Sequence, residues 1–118
     1  MTRESLTQRK CQPCEKTTPA LSAPRIQELL SAISGWELIG GTCLRKQIRC
    51  KNFMDAVHWI QLIAPIAEAE DHHPDLHLSG YRRLTIELST HAIGGLSEND
   101  FILAAKIDQL LSAGQSDL

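Results

Sequence analysis

The chain has 118 residues, with 12 lysine and arginine side chains against 14 aspartate and glutamate side chains and a formal net charge of −2. This length suits one domain with a single core, and the charge argues against direct nucleic acid binding, which normally requires a basic surface. Because no apolar run approaches the roughly 20 residues of a membrane-spanning helix and the N-terminus lacks the apolar segment of a secretory signal peptide, we expect a cytoplasmic protein without membrane contact.

Residues 1–20 are polar and show no hydrophobic period, so they are predicted to form a flexible N-terminal arm. Cys11 and Cys14 in this arm have the spacing of half a zinc knuckle. The other two cysteines of the chain do not repeat this spacing, which argues against a structural zinc site. Without a secretory signal, we interpret all four as reduced thiols.

A single domain is predicted over residues 21–114, followed by a tail at 115–118. Its first helix begins after Ser22, which can act as N-cap, and carries Pro24 in its first turn. Two strands are then predicted at 36–39 and 42–51, joined by a glycine pair. In the second strand polar and apolar side chains alternate, so one face of the sheet is expected to be buried and the other exposed.

The second helix is predicted to begin after Asn52 and to bury an apolar stripe of period 3.6. Pro65 interrupts this stripe and is expected to kink or divide the helix. Two further strands follow, at 75–78 and 83–89, and the last helix runs from the N-cap Ser97 to Gly114. The element order α-β-β-α-β-β-α predicts an α+β fold, with a four-stranded antiparallel sheet and three helices packed on one face.

Histidine is the residue type that points to function, because four of the five histidines fall within 20 residues. They are His72, His73, His77 and His91. Imidazole titrates near neutral pH, so converging histidines suit proton transfer without a metal. Glu68 lies four residues before His72, and on a continuous helix its carboxylate would stabilise the charged imidazole.

Less specific interpretations of the same residues stay open. Paired histidines at a helix end commonly act as caps or solvated polar groups. A zinc site built from the four histidines has no matching ligand spacing. Asp100 fits a capping-box acid in the first turn of its helix, and His58 and His77 are interpreted as surface or cap residues.

The order of these residues resembles the pattern of the pterin-4a-carbinolamine dehydratase family. The pattern runs through Glu68, His72-His73-Pro74, Tyr81, His91 and Asp100. The resemblance implies a fold of three helices on one side of a four-stranded antiparallel sheet. It also implies a hydro-lyase activity, the dehydration of 4a-hydroxytetrahydropterin to quinonoid dihydropterin in tetrahydrobiopterin recycling, with a pterin substrate and neither metal nor organic cofactor.

The resemblance also assigns roles to residues. The implied catalytic groups are His72, His73 and His91. Supporting roles fall to Glu68 and Asp100, whose two oxygens could serve a histidine and the helix cap together. The same three histidines would contact the substrate, as would Pro74 and Tyr81. Which histidine acts as acid and which as base stays open.

Two further properties follow from the resemblance. Members of the family form dimers and tetramers, so we expect a homodimer or homotetramer, in keeping with exposed strand edges. Some members also act as dimerisation cofactors of a homeodomain transcription factor. The alternative function is therefore a non-catalytic interaction module on the same fold.

Overall fold

An antiparallel four-stranded sheet forms the centre of the structure, a computed structural model that describes residues 3–12 and 19–115. Its strands are β1 (Glu37–Ile39), β2 (Cys43–Arg49), β3 (Asp75–Ser79) and β4 (Arg83–Leu88). The helices are α1 (Arg3–Thr7), α2 (Ala23–Leu30), α3 (Phe53–Glu70) and α4 (Glu98–Gln115), and a 3-10 turn spans His91–Ile93. The predicted α+β class and element order are confirmed, with α1 and the 3-10 turn as additions.

The strands lie in the order β1-β2-β4-β3, and their register explains the buried face of the sheet. Leu44 of β2 lies opposite Leu88 of β4, and Ile48 lies opposite Leu84. These apolar side chains share one core with residues of the three long helices. The predicted alternation in β2 and β4 is therefore confirmed, because a two-residue period places every second side chain on the helix-covered face.

The N-terminal arm contains a helix that the sequence analysis did not predict. Leu6 of α1 is fully buried in the common core, and α1 packs against α4. A five-residue helix with a single buried apolar residue shows no hydrophobic period in the sequence, so only its packing in the tertiary structure reveals it. The predicted division of the chain into a flexible arm, a domain at 21–114 and a tail remains a prediction.

Two predictions about helix continuity need correction. Pro65 does not divide α3, which runs unbroken from Phe53 to Glu70, and the kink expected as the other outcome stays a prediction. Gln61 and Pro65 both lie on the exposed side of α3, so water can satisfy the carbonyl that loses its partner. Helix α4 continues past Gly114 to Gln115. Residues 116–118 of the predicted tail lie outside the residues that the structure describes, as does Cys14.

Among the described residues, neither 18-residue helix is apolar enough to cross a membrane.

The exposed face of the sheet carries an ion-paired group that the sequence analysis did not find. One oxygen of Glu87 accepts hydrogen bonds from Arg45, at 2.9 Å from Nε and 2.7 Å from Nη2. The other oxygen lies 2.9 Å from Nε2 of His77. His77, predicted to be a surface residue without a partner, thus pairs across β3 and β4. The hydrogen bond from Arg45 holds the pKa of Glu87 below its usual value, and His77 adds to the effect.

This pairing predicts an acid-sensitive contribution to stability. A carboxylate whose pKa is lowered by folding stabilises the native state above its unfolded pKa, and the contribution is lost as pH falls through the folded pKa. We therefore expect the urea midpoint of the wild type to fall more between about pH 5 and about pH 3 than that of Glu87→Gln. Glu28→Gln, on exposed α2 surface, is the control for charge removal. Parallel pH profiles of the wild type and Glu87→Gln would contradict the prediction.

Candidate active site

A cavity of about 550 Å³ lies where the end of α3, the 3-10 turn and the start of α4 meet. His72 and His73, just beyond α3, line it together with His91 of the 3-10 turn. The chain brings these three histidines together because β3 and β4 form a hairpin that returns to the end of α3. Within the described residues, no group of three or more histidine, cysteine or acidic side chains is placed to hold a metal ion.

His72 is held by a buried carboxylate. Its Nε2 lies 2.7 Å from Oδ1 of Asp100, which is fully buried at the start of α4. The second oxygen of Asp100 accepts hydrogen bonds from the Ser97 amide at 3.0 Å and the Thr90 hydroxyl at 2.8 Å. One carboxylate thus caps α4 and orients His72. Because a carboxylate only accepts, Nε2 of His72 carries the shared proton, and the lone pair of the neutral ring is on Nδ1.

The partner predicted for Glu68 is wrong. Its carboxylate lies 2.6 Å from Nε2 of His73, not beside His72. Asp71 ends α3 in the left-handed conformation, with φ of 51° and ψ of 41°. The chain therefore leaves the helix before His72, and the one-turn relation between Glu68 and His72 is lost. Both members of the Glu68–His73 pair are largely exposed, so water screens their attraction.

His91 lies in a short turn just beyond the sheet. Strand β4 ends at Leu88, and His91 begins the 3-10 turn that follows. Gly94 closes this turn in the left-handed region at φ of 64°. The amide of Thr90 donates to Gly95 O at 2.9 Å, which closes the loop. The exposed His91 ring has no hydrogen-bond partner among the described residues, so both its nitrogens are open to a ligand.

Two predicted substrate contacts do not line this cavity. Pro74 follows His73 directly but is not among the residues that line the cavity, and Tyr81 borders a separate depression with Arg49 and Arg82. Tyr81 adopts a left-handed φ of 54° in the turn between β3 and β4. The substrate contacts assigned to Pro74 and Tyr81 remain predictions.

Sequence reasoning missed one side of the cavity. Cys11 and Gln12 line it from the N-terminal arm, and Asn99 lines it from α4. Glu70, nearly buried at the end of α3, accepts from the Cys11 amide at 2.8 Å and from Lys106 at 3.0 Å. Burial would raise the pKa of Glu70, but these two hydrogen bonds hold it below its usual value. No local pattern links residue 11 to residues 70 and 99, so the sequence alone did not indicate this wall.

Comparison with known proteins identifies the family. The model of the family described as pterin 4 alpha carbinolamine dehydratase matches residues 19–110. The chain belongs to this family. The resemblance found in the sequence is thereby confirmed, and the match includes the whole stretch from Glu68 to Asp100.

Pterin carbinolamine dehydratase relatives align over most of the chain. A protein of Nitrosospira multiformis that carries the family name is 45% identical over 107 residues, which are 91% of this chain and 93% of the relative. The mitochondrial pterin-4-alpha-carbinolamine dehydratase 2 of Arabidopsis thaliana is 47% identical over 89% of this chain and 58% of its own. The family and the names of these relatives support a lyase acting on a pterin carbinolamine.

Solved structures support the fold. A transcriptional coactivator/pterin dehydratase from Brucella melitensis is 29% identical, with a TM-score of 0.71 over 77% of this chain and 97% of that one. A pterin dehydratase-like protein, identified as a RuBisCO assembly factor in the alpha-carboxysome, is 22% identical with a TM-score of 0.54. It covers 64% of this chain and 88% of its own, and supports the fold alone.

Proposed function

We propose that the protein dehydrates 4a-hydroxytetrahydropterin to quinonoid dihydropterin by histidine acid–base catalysis, a step of tetrahydrobiopterin recycling. The observation that carries this proposal is the convergence of His72, His73 and His91 on one cavity, with His72 held by buried Asp100. The volume of about 550 Å³ falls within the range of small-molecule sites. A bicyclic pterin is of suitable size for such a site.

The reaction requires one proton to be delivered and another to be removed. The C4a–O bond breaks as the hydroxyl is protonated and leaves as water. The N5–H bond gives its electron pair to a new N5–C4a double bond, and a base takes the proton. Both transfers suit imidazole near neutral pH, and the reaction needs no redox step, so neither a metal nor an organic cofactor is part of the proposal.

We assign the base to His72. Its Nε2–H donates to Asp100, so Nδ1 is the nitrogen that can accept a proton, and the buried carboxylate stabilises the imidazolium that forms. Either His73, with Glu68 as its supporting carboxylate, or His91 then protonates the leaving hydroxyl. Single alanine variants of His73 and His91 decide between them.

The direct test is turnover of a pterin 4a-carbinolamine generated in the assay. We expect the purified protein to accelerate dehydration, followed by the absorbance change to the quinonoid product, well above the spontaneous rate. The effect should persist in a metal chelator. A protein that leaves the spontaneous rate unchanged would overturn the proposed function.

The second candidate function is a non-catalytic interaction module. It is favoured by the printed name of the Brucella melitensis structure, which combines a transcriptional coactivator with a pterin dehydratase. Under this alternative the helix faces, not the histidines, carry the function. Partner binding that survives loss of all three histidines, in a protein without turnover, would favour it.

We also propose that the protein acts in the cytoplasm, and that it assembles there as a homodimer or homotetramer, which the edges of its sheet favour. β1 and β3 are edge strands, and each presents backbone groups unpaired on its outer side in the described structure. Such edges favour pairing with a second copy. Sizing with light scattering at micromolar concentration is expected to give two or four times the chain mass. A strict monomer would contradict the prediction.

A further inference from the structure

The N-terminal segment Arg9–Gln12 is attached to the two helices that border the cavity. Asn99 binds the main chain of Gln12 twice, its Oδ1 accepting from the Gln12 amide at 2.8 Å and its Nδ2 donating to the Gln12 carbonyl at 2.5 Å. Glu70 accepts from the Cys11 amide at 2.8 Å. All three of these hydrogen bonds use main-chain atoms of the segment.

Charged side chains add to this attachment. Arg9 donates to Glu98 at 3.2 Å, and Lys10 lies 3.9 Å from Glu70. Glu70 is 8% exposed and is also paired with Lys106, so its carboxylate is satisfied only with both the core lysine and the segment in place. An unpaired buried carboxylate is costly, which favours the docked segment.

The attachment points adjoin the groups that hold the catalytic histidine. Asn99 precedes Asp100, the partner of His72, and Glu70 lies two residues before His72. Cys11 and Gln12 line the same cavity as the three histidines. Because Cys11 and Gln12 are hydrogen-bonded to both α3 and α4, the side of the cavity that they form has a fixed position relative to His72.

We propose that the segment Arg9–Gln12, through Cys11 and Gln12, forms part of the substrate-binding site and limits the size of the substituent that a bound pterin carries. This inference rests on the proposed function. The segment forms one wall of the cavity, and the histidines carry out the proton transfers. Release of the segment should therefore weaken pterin binding and reduce the preference between short and long substituents. The kcat for a substrate with a small substituent should stay close to that of the wild type.

The thiol of Cys11 provides a measure of docking that does not depend on turnover. Burial raises the pKa of Cys11 to about 12, and the negative charge of Glu70 adds to the rise. A docked Cys11 is therefore a neutral, slowly reacting thiol. When the segment is released, Cys11 regains an ordinary thiol pKa and reacts faster with an alkylating reagent.

Two variants release the segment without altering any histidine. Asn99→Ala removes both hydrogen bonds to Gln12, and Gln12→Pro removes the amide that donates to Asn99. Gln61→Ala is the matched control for removal of a side-chain amide, because Gln61 lies on the exposed side of α3 and does not line the cavity. Circular dichroism confirms folding of each variant, and peptide mapping locates the alkylated cysteine.

In both release variants we expect Cys11 alkylation to be at least about tenfold faster. The KM for a 6-methylpterin carbinolamine should rise about fivefold or more, with kcat within about twofold. The preference between this substrate and the biopterin carbinolamine should shrink, and Gln61→Ala should match the wild type. Faster alkylation with unchanged KM and unchanged preference would overturn the inference, as would unchanged alkylation in both variants.

Binding of a stable dihydropterin, followed by fluorescence, separates this inference from the proposed function. A wild type that binds the dihydropterin without turning over the carbinolamine refutes the catalytic proposal alone. In that case the proposed role of the segment in binding is tested by the affinity for the dihydropterin, which should be about fivefold weaker in the release variants. A wild type that neither turns over the carbinolamine nor binds the dihydropterin overturns both.

Discussion

Replacing His72 with alanine is expected to reduce kcat for carbinolamine dehydration by about 10²- to 10⁴-fold, the usual contribution of a positioned general acid or base. The variant removes the only imidazole of the cavity that a fully buried carboxylate orients. It also leaves Oδ1 of Asp100 without its imidazole partner, but Ser97 and Thr90 continue to bind the other oxygen. The measurement is the initial rate at neutral pH, with binding of a dihydropterin as a check on the site.

His58→Ala is the matched control for this variant. His58 lies on the exposed side of α3, where its ring contacts Trp59, and it does not border the cavity. We expect its kcat to equal that of the wild type. Equal activity in the wild type and His72→Ala would refute the assignment of His72 as the base, and equal inactivity would refute the enzymatic proposal.

Replacing Asp108 with alanine is expected to destabilise the fold by about 3 kcal/mol, the cost of leaving buried charged and polar partners unpaired. Asp108 is 2% exposed and joins α4 to the region between α2 and β2. It accepts from Trp36 Nε1 at 2.9 Å, from Lys46 Nζ at 2.7 Å and from the Ser34 amide at 3.3 Å. Nζ of Lys46 also lies 5.7 Å from the centre of the Trp36 ring, so removing the Asp108 carboxylate also disturbs this cation–π contact.

Urea denaturation at neutral pH measures this cost, with Asp108→Asn as the graded variant. Asparagine keeps an acceptor for the indole of Trp36 but loses the charge that pairs with Lys46, so we expect an intermediate loss. Asp55→Ala, in the exposed first turn of α3, is the control and should cost about 1 kcal/mol. A loss below about 1 kcal/mol for Asp108→Ala would show that water replaces the buried partners.

The elements of this fold could be predicted from local patterns because their causes are local. Ser22 and Asn52 cap α2 and α3 through side-chain oxygens, as predicted, and accept from the amides of Arg25 and Asp55. The alternation of apolar and polar side chains along β4 determines which face of the strand packs against the helices. Helix α1 was missed because a single buried residue, Leu6, gives no period to detect.

Pairings in the site depend on distances that a sequence does not contain. Glu68 was paired with the wrong histidine because the left-handed conformation of Asp71 changes the direction of the chain between them. Trp36 and Asp108 are 72 residues apart, and Cys11 and Glu70 are 59 apart. The three histidines that line the cavity could be named from the order of the motif, but their partners are set by the tertiary fold.

Under the proposed mechanism, the double use of Asp100 links catalysis to local folding. The carboxylate that caps the first turn of α4 is the same group that orients His72, so a molecule in which this turn has opened lacks the proposed base in its proper orientation. The active fraction of the protein therefore cannot exceed the fraction in which the first turn is formed. Heating or denaturant that frays α4 at its beginning would reduce turnover before the sheet unfolds.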